Sequence, residues 1–359
     1  MPIDEHWLSP KQQPTPRASA TILAKGAPKS TTHIECVADG SFVVAHHEGL
    51  ADSLGGLAHR DARGAVLASR TGAFGPIDVS RSRWLAAGPL HHGEHAALCV
   101  LEPATLETVE SFALARPFAW LSDATLVAHT PPPNATFAKK TYAYTRLPGY
   151  RAEPSLLART KLPETPGLVA FDLATGEARL LVEASVHDAF HYAAVSRDGS
   201  TLFAATRYRR VVAVRIADGA LLWELPAGRD SARFAVLSLA LSPDQTQLVC
   251  AGSGSPHDCI VLDAATGVVR AQHALRSALD GARLVRKRAS TLDAIAVHPE
   301  GHFAVATNVG VIIVVRRDGR ISAFEASSSP VRALAFSTDA RTLVSGGHDE
   351  SLRAWPFDP

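Results

Sequence analysis

Three kinds of residue in this 359-residue chain come together in patterns that could do chemistry. Histidines make the first: His46-His47-Glu48, then His91-His92-Gly93-Glu94-His95, then His129, with His257-Asp258 and His348-Asp349 further on. Imidazoles beside a carboxylate suit zinc, and His91 to His95 spells H-x-x-E-H, a pattern that works in metalloproteases by stacking two imidazoles on one helix face. Gly93 and the apolar runs on either side place this segment in a turn between two β-strands, where that stacking is lost. His91, His92 and His95 would serve only a metal shared between neighbouring turns. The turn reading prevails, and no metal is assigned.

Cations interleaved with aromatics make the second kind. Residues 130–166 carry Lys139, Lys140, Arg146, Arg151, Arg159 and Lys161 against Glu153 and Glu164, with Phe137, Tyr142, Tyr144 and Tyr150 among them. Residues 275–291 carry Arg276, Arg283, Arg286, Lys287 and Arg288 against Asp280, and Arg207-Tyr208-Arg209-Arg210 forms a shorter run. The chain as a whole balances 36 Lys+Arg with 35 Asp+Glu, so these segments are a local basic field offset by an acidic remainder. Such a mixture grips an acidic protein surface or peptide, or stacks on nucleic-acid bases. The plainer alternative is a set of solvated loops. Structureless segments longer than about 15 residues in compact domains are, however, usually functional or disordered.

Nucleophiles and phosphate cradles would be the third kind, and the sequence holds no G-x-S-x-G elbow, P-loop or dinucleotide fingerprint. Ser253-Gly254-Ser255 and Ser345-Gly346-Gly347 read as strand ends. Cys36, Cys99, Cys250 and Cys259 form no C-x-x-C pair and are expected to be reduced structural thiols in the cytoplasm. No catalytic residue and no cofactor is assigned, and the expectation is that the protein is not an enzyme.

The elements that must position these residues follow from composition and repetition. Apolar residues are 46% of the chain and charged ones 20%, which excludes disordered and collagenous classes. Residues 1–18 form a polar, proline-containing tail without the apolar segment of a signal peptide. The apolar run Ile312 to Val315 is far short of the roughly 20 residues a spanning helix needs, so no membrane partner is expected. The Ala- and Arg-rich composition points to a bacterial source.

One unit recurs: an apolar strand, a turn with Asp or Gly, a second apolar strand, a short turn and a third strand. Its clearest copy is VRALAF from Val331, TLVSGG from Thr342 and SLRAW ending at Trp355. Others start at Leu237, Tyr192 and Leu292, and degenerate ones at Ile34, Ile77 and Phe118. Seven copies, most of them about 40 to 45 residues apart and the two longer steps holding insertions, resemble WD40 repeats, with quinoprotein-like phrases such as DLATGEARLL.

The resemblance implies an all-β, seven-bladed β-propeller over residues 19–359. The last copy stops after three strands, so SATILAK (Ser19 to Lys25) is expected to supply its missing outer strand and close the ring. The family's Gly-His before the first strand is replaced by Ala326-Ser327 in the last repeat, which leaves its His-Asp-Ser/Thr-Trp network incomplete. In such a ring the insertions 130–166 and 275–291 both lie on the top face. The expected function is a scaffold or adaptor subunit of a multiprotein assembly. Its partner contacts would be Lys139, Lys140, Tyr142, Tyr144, Arg146, Arg207, Arg209, Arg210, Arg286, Lys287 and Arg288. The alternatives are nucleic-acid contact through the same loops and, behind it, a metal-dependent or quinoprotein-like enzyme.

Overall fold

A computed structural model describes residues 20–25, 30–48, 54–71, 77–79, 84–88, 97–112, 114–130, 160–184, 190–206, 210–225, 235–253, 257–282 and 291–358. After β1 (Thr21–Lys25) the strands come four at a time. The first sheet is β2–β5 (Thr31–Cys36, Phe42–Glu48, Leu54–Arg60, Val66–Thr71) and the second β6–β9 (Ile77–Val79, Trp84–Gly88, Ala97–Leu101, Thr108–Phe112). The third is β10–β13 (Ala115–Ser122, Thr125–His129, Gly167–Asp172, Ala178–Glu183) and the fourth β14–β17 (Phe190–Val195, Thr201–Thr206, Val211–Arg215, Leu221–Leu225). The fifth is β18–β21 (Ala235–Leu241, Gln247–Ser253, Cys259–Asp263, Val269–His273), followed by the single helix of the described residues, α1 (Leu275–Ala282). The sixth is β22–β25 (Leu292–Val297, Phe303–Thr307, Val311–Val315, Ile321–Glu325). The last strands, β26–β28 (Val331–Phe336, Thr342–Gly347, Ser351–Pro356), take β1 as their fourth, so the described residues form seven four-stranded sheets.

Second and third strands read as unbroken apolar runs, FAVAT and VIIVV in the sixth sheet, and are buried along their whole length. Such strands need cover on both faces. Outer strands alternate instead, as in VRAQH of β21. Cover comes from the neighbouring sheets: the inner strands touch in the cyclic order β2, β6, β10, β14, β18, β22, β26 and back to β2. One buried cluster fills each joint. Between the sixth and seventh sheets, for example, Ile312, Val314 and Ala304 pack against Leu334, Leu343 and Trp355, and between the seventh and first, Val344 and Leu352 pack against Ile34 and Phe42. The architecture is an all-β propeller.

Three of the turns between first and second strands carry Ser-x-Asp. Ser196, Ser242 and Ser337 each donate a hydroxyl hydrogen bond to the carboxylate two residues on, and Asp198, Asp244 and Asp339 accept the backbone N–H two residues further. These bonds favour the ionised form, holding Asp198 down to about 2.

The turns between third and fourth strands lock neighbouring sheets together. Gly64 abuts Leu23 of β1, Gly219 abuts Leu181 of β13, and Gly267 abuts the Trp223 indole of β17. Donors cross joints of the same kind: Arg70 Nη1–H reaches Leu106 O of the second sheet at 2.8 Å, Trp223 Nε1–H reaches Ala264 O at 2.9 Å, and Arg179 donates to Ile216 O. Gly267 has φ +70°, and a Cβ there would stand 2.6 Å from the Trp223 ring. Gly267→Ala should therefore cost about 2 kcal/mol in chemical denaturation.

Closure depends on β1, which pairs antiparallel with β28 from Thr21↔Ala354 to Lys25↔Ser351, with a bulge at Leu23. Deleting residues 1–30 exposes the outer edge of β28. The thermal midpoint is expected to fall by about 10 °C, and an unchanged midpoint would refute the dependence on β1.

Candidate partner-binding face

Both long insertions are rooted in the packed ring, and each root is made by specific polar contacts. The first leaves the third sheet between its second and third strands. Thr130 N–H donates to Gly167 O at 2.8 Å, and Gly167 N–H donates back to Thr130 Oγ1 at 2.9 Å. Its closing stretch does not stay on that face. Lys161 N–H bonds Gly176 O at 2.8 Å and Lys161 Nζ reaches Glu177 Oε1 at 3.0 Å, both beside the β12–β13 turn at the opposite end of the sheet. From there residues 162–166 run back to Gly167, with Leu162 packed on the apolar cluster around Phe118 and Phe171. The expectation of a single top-face loop over 130–166 is corrected for these last residues: an apolar Leu162 directly before Pro163 favours an extended segment laid along the sheet.

The second insertion begins as a helix. Leu275 and Leu279 of α1 are buried in the cluster between the fifth and sixth sheets. The buried Asp258 carboxylate caps the helix, accepting Leu275 N–H at 2.7 Å, Arg276 N–H at 3.0 Å and Arg276 Nε–H at 2.8 Å. Register puts Asp258 level with Ser351, since Leu248↔Leu262 matches Leu343↔Trp355, so it is not the counterpart of Asp349. Its role is to tie the insertion to the core.

Of the residues expected to contact a partner, Arg210 is described. Its guanidinium donates to Glu224 Oε1 at 3.1 Å and lies over the Phe190 ring. Lys139, Lys140, Tyr142, Tyr144, Arg146, Arg207, Arg209, Arg286, Lys287 and Arg288 lie outside the described residues, as do His91, His92 and His95. Other described cations near these turns are paired as Arg210 is. Arg332 Nη1–H donates to Asp293 Oδ2 at 2.7 Å and Arg353 pairs with Asp349. Burial nevertheless raises the Asp293 carboxyl above its ordinary range, with the charge of Arg332 opposing it.

The histidines divide by environment. His129 is fully buried; its Nδ1–H donates to Thr130 O at 2.6 Å, and burial pushes its pKa down to about 4. His46 is buried against Gly56. His298, Glu300 and His302 offer ligand atoms within 4.8 Å of one another in the β22–β23 turn, a grouping the sequence reading passed over. Their hydrogen bonds do not fit a metal. His298 Nδ1 accepts Glu300 N–H at 3.1 Å while its Nε2–H donates to Ala340 O at 3.0 Å, and His302 Nδ1 accepts Arg317 N–H at 2.9 Å. Metal-binding imidazoles donate from the second nitrogen rather than accept there. Both rings pack on Phe357 instead.

The seventh sheet carries the decisive pattern. Trp355 Nε1–H donates to Ser345 Oγ at 2.8 Å, and Ser327 Oγ–H donates to Asp349 Oδ2 at 2.9 Å. These are two separate bonds where a histidine at position 327 would make one chain. Residues 318–356 match the family model described as WD domain, G-beta repeat. The protein carries a WD40 repeat on a β-propeller fold. Among solved structures the propeller is similar to the β-propeller domain of Cps50 (Swd1) from Myceliophteria thermophila, with a TM-score of 0.66 and 11% identity over 95% of this chain and 100% of that one. No curated protein matches the sequence.

Asp258 ties the second insertion to the ring. Asp258→Ala removes the acceptor of two helix N–H groups and of Arg276 Nε–H, and should cost about 3 kcal/mol in denaturant titration. Asp258→Asn, which still accepts, should recover part of that loss.

Proposed function

We propose that the protein is a non-catalytic scaffold: a single seven-bladed WD40 ring over residues 19–359 that docks partner proteins through a basic sector formed by its two insertions. The observation that carries this reading is the anchoring of the insertions. α1 buries Leu275 and Leu279 and is capped by Asp258, and the first insertion is pinned at Thr130 and Gly167, so the basic segments between and beyond start from fixed points. A contact surface held on a rigid ring loses little entropy on binding. WD40 propellers typically act as such platforms, and the aromatics Tyr142 and Tyr144 among Lys139, Lys140 and Arg146 suit an acidic peptide or surface. Described cysteines are free thiols, in keeping with the cytoplasm as the proposed compartment.

The test is a purification of the tagged full chain from its native host at low and high salt, with and without nuclease. It is run beside a variant with Lys139, Lys140, Arg286, Lys287 and Arg288 each changed to Glu. Stoichiometric protein partners should survive nuclease, weaken with salt, and bind the variant about 10-fold or more weakly. Partners that vanish with nuclease would transfer the sector to nucleic acid. Binding unaffected by both salt and charge reversal would place the interface elsewhere.

A further inference from the structure

One position on the inner strands is alanine in five sheets and acidic in two. Ala119, Ala194, Ala240, Ala296 and Ala335 pair with Val127, Phe203, Val249, Ala304 and Val344 of the second strands. At the same register Glu35 pairs with Val43 and Asp78 with Leu85. The two acids are therefore neighbours across the joint between the first and second sheets. This joint rests on β6, which at three residues is the shortest inner strand among the described residues.

The two carboxyls are differently supported. Asp78 Oδ2 accepts Trp120 N–H from the third sheet at 2.7 Å, and Oδ1 accepts Val79 N–H at 3.0 Å. Glu35 has no hydrogen-bond donor of this kind among the described residues, and the charge that acts on it is that of Asp78. Burial, then this like charge, pushes Glu35 up to about 8, and burial carries Asp78 to about 6 against its two amide bonds. The neighbouring Cys36 thiol is pushed up to about 12 by burial and by Glu35. The other titratable or charged groups on the strands packed here are His33 on β2, His46 on β3 and Arg332 on β26. The side chains of His47, Glu48 and Arg116 lie outside the described ones, and β7 and β27 bring none.

We propose that Glu35 and Asp78 make the joint between the first two sheets sensitive to pH. With Glu35 protonated, the Asp78 carboxylate, held by the Trp120 and Val79 amides, is the one negative charge of this pair. When that proton leaves for solvent, two like charges stand at the same level of neighbouring half-buried strands and push them apart. Unfolding returns Glu35 to its ordinary range, so the folded chain binds the extra proton. The stabilisation is complete below about pH 4.5, declines as pH rises, and is lost by about 8.

The test compares thermal midpoints of the full chain and Glu35→Gln from pH 5 to 9.5, with Glu35→Ala, the residue five other sheets use, as a second variant. The wild-type midpoint minus that of either variant should fall by about 2 °C per pH unit and level off near pH 8. Hydrogen exchange at the Val79 and Trp120 amides, corrected for the intrinsic pH effect, should rise between pH 6 and 9 in the wild type and stay level in the variants. Carbon-detected NMR of the wild-type Glu35 carboxyl gives a reading independent of any variant. Parallel pH profiles, or a Glu35 carboxyl that titrates in the ordinary carboxylate range, would overturn the proposal.

Discussion

A β-sheet whose central strands are apolar on both faces can be buried only between two others, and no open stack satisfies that demand, because its end sheets stay bare. Closing the stack into a ring does, and it explains why the inner strands meet in cyclic order and why each joint has its own buried cluster. It also explains the division of labour within a sheet. Second and third strands such as FAVAT and VIIVV carry the burial, while outer strands alternate and carry the donors that clasp the next sheet's turn. β1 follows from the same demand, since a last sheet of three strands would leave β28 as an open edge.

A ring held this way has little freedom left in its own strands, so variation is pushed into the turns. The two largest departures from the repeat, at 130–166 and 275–291, are also where cations and aromatics concentrate. The described structure shows how such departures stay attached. One returns along the flank of its sheet through Leu162; the other starts with a helix that buries Leu275 and Leu279 and whose first turn is capped by Asp258. Arg210, Arg276, Arg332 and Arg353 each face a carboxylate, so the described cations near these turns serve mainly as structural partners.

Ionisable groups inside the ring pull stability in opposite directions. His129 is held neutral by burial, which favours the folded chain as pH rises through the ordinary histidine range, whereas Glu35 and Asp78 favour it as pH falls. Asp198 and its counterparts lie on the surface, where turn hydrogen bonds keep them ionised and leave them outside this balance near neutrality.

Strand identity, turn chemistry and the repeat were legible in the sequence, because each depends on neighbours along the chain. Ser-x-Asp turns, period-two outer strands and the spare SATILAK strand all announce themselves locally. The incomplete network around Trp355 was legible too, since Ser327 stands where a histidine would be needed. What the sequence could not decide is which residues meet across sheets. The inner strands read as small and apolar in the clear repeats, and only register reveals that Glu35 and Asp78 occupy the alanine position in the two degenerate ones and sit side by side. Asp258 looked like a turn residue and proved to be a helix cap, and residues 160–166 looked like loop and proved to be packed against β13. Both depend on contacts between segments distant in sequence. Such contacts arise from burial in three dimensions, which no local pattern encodes.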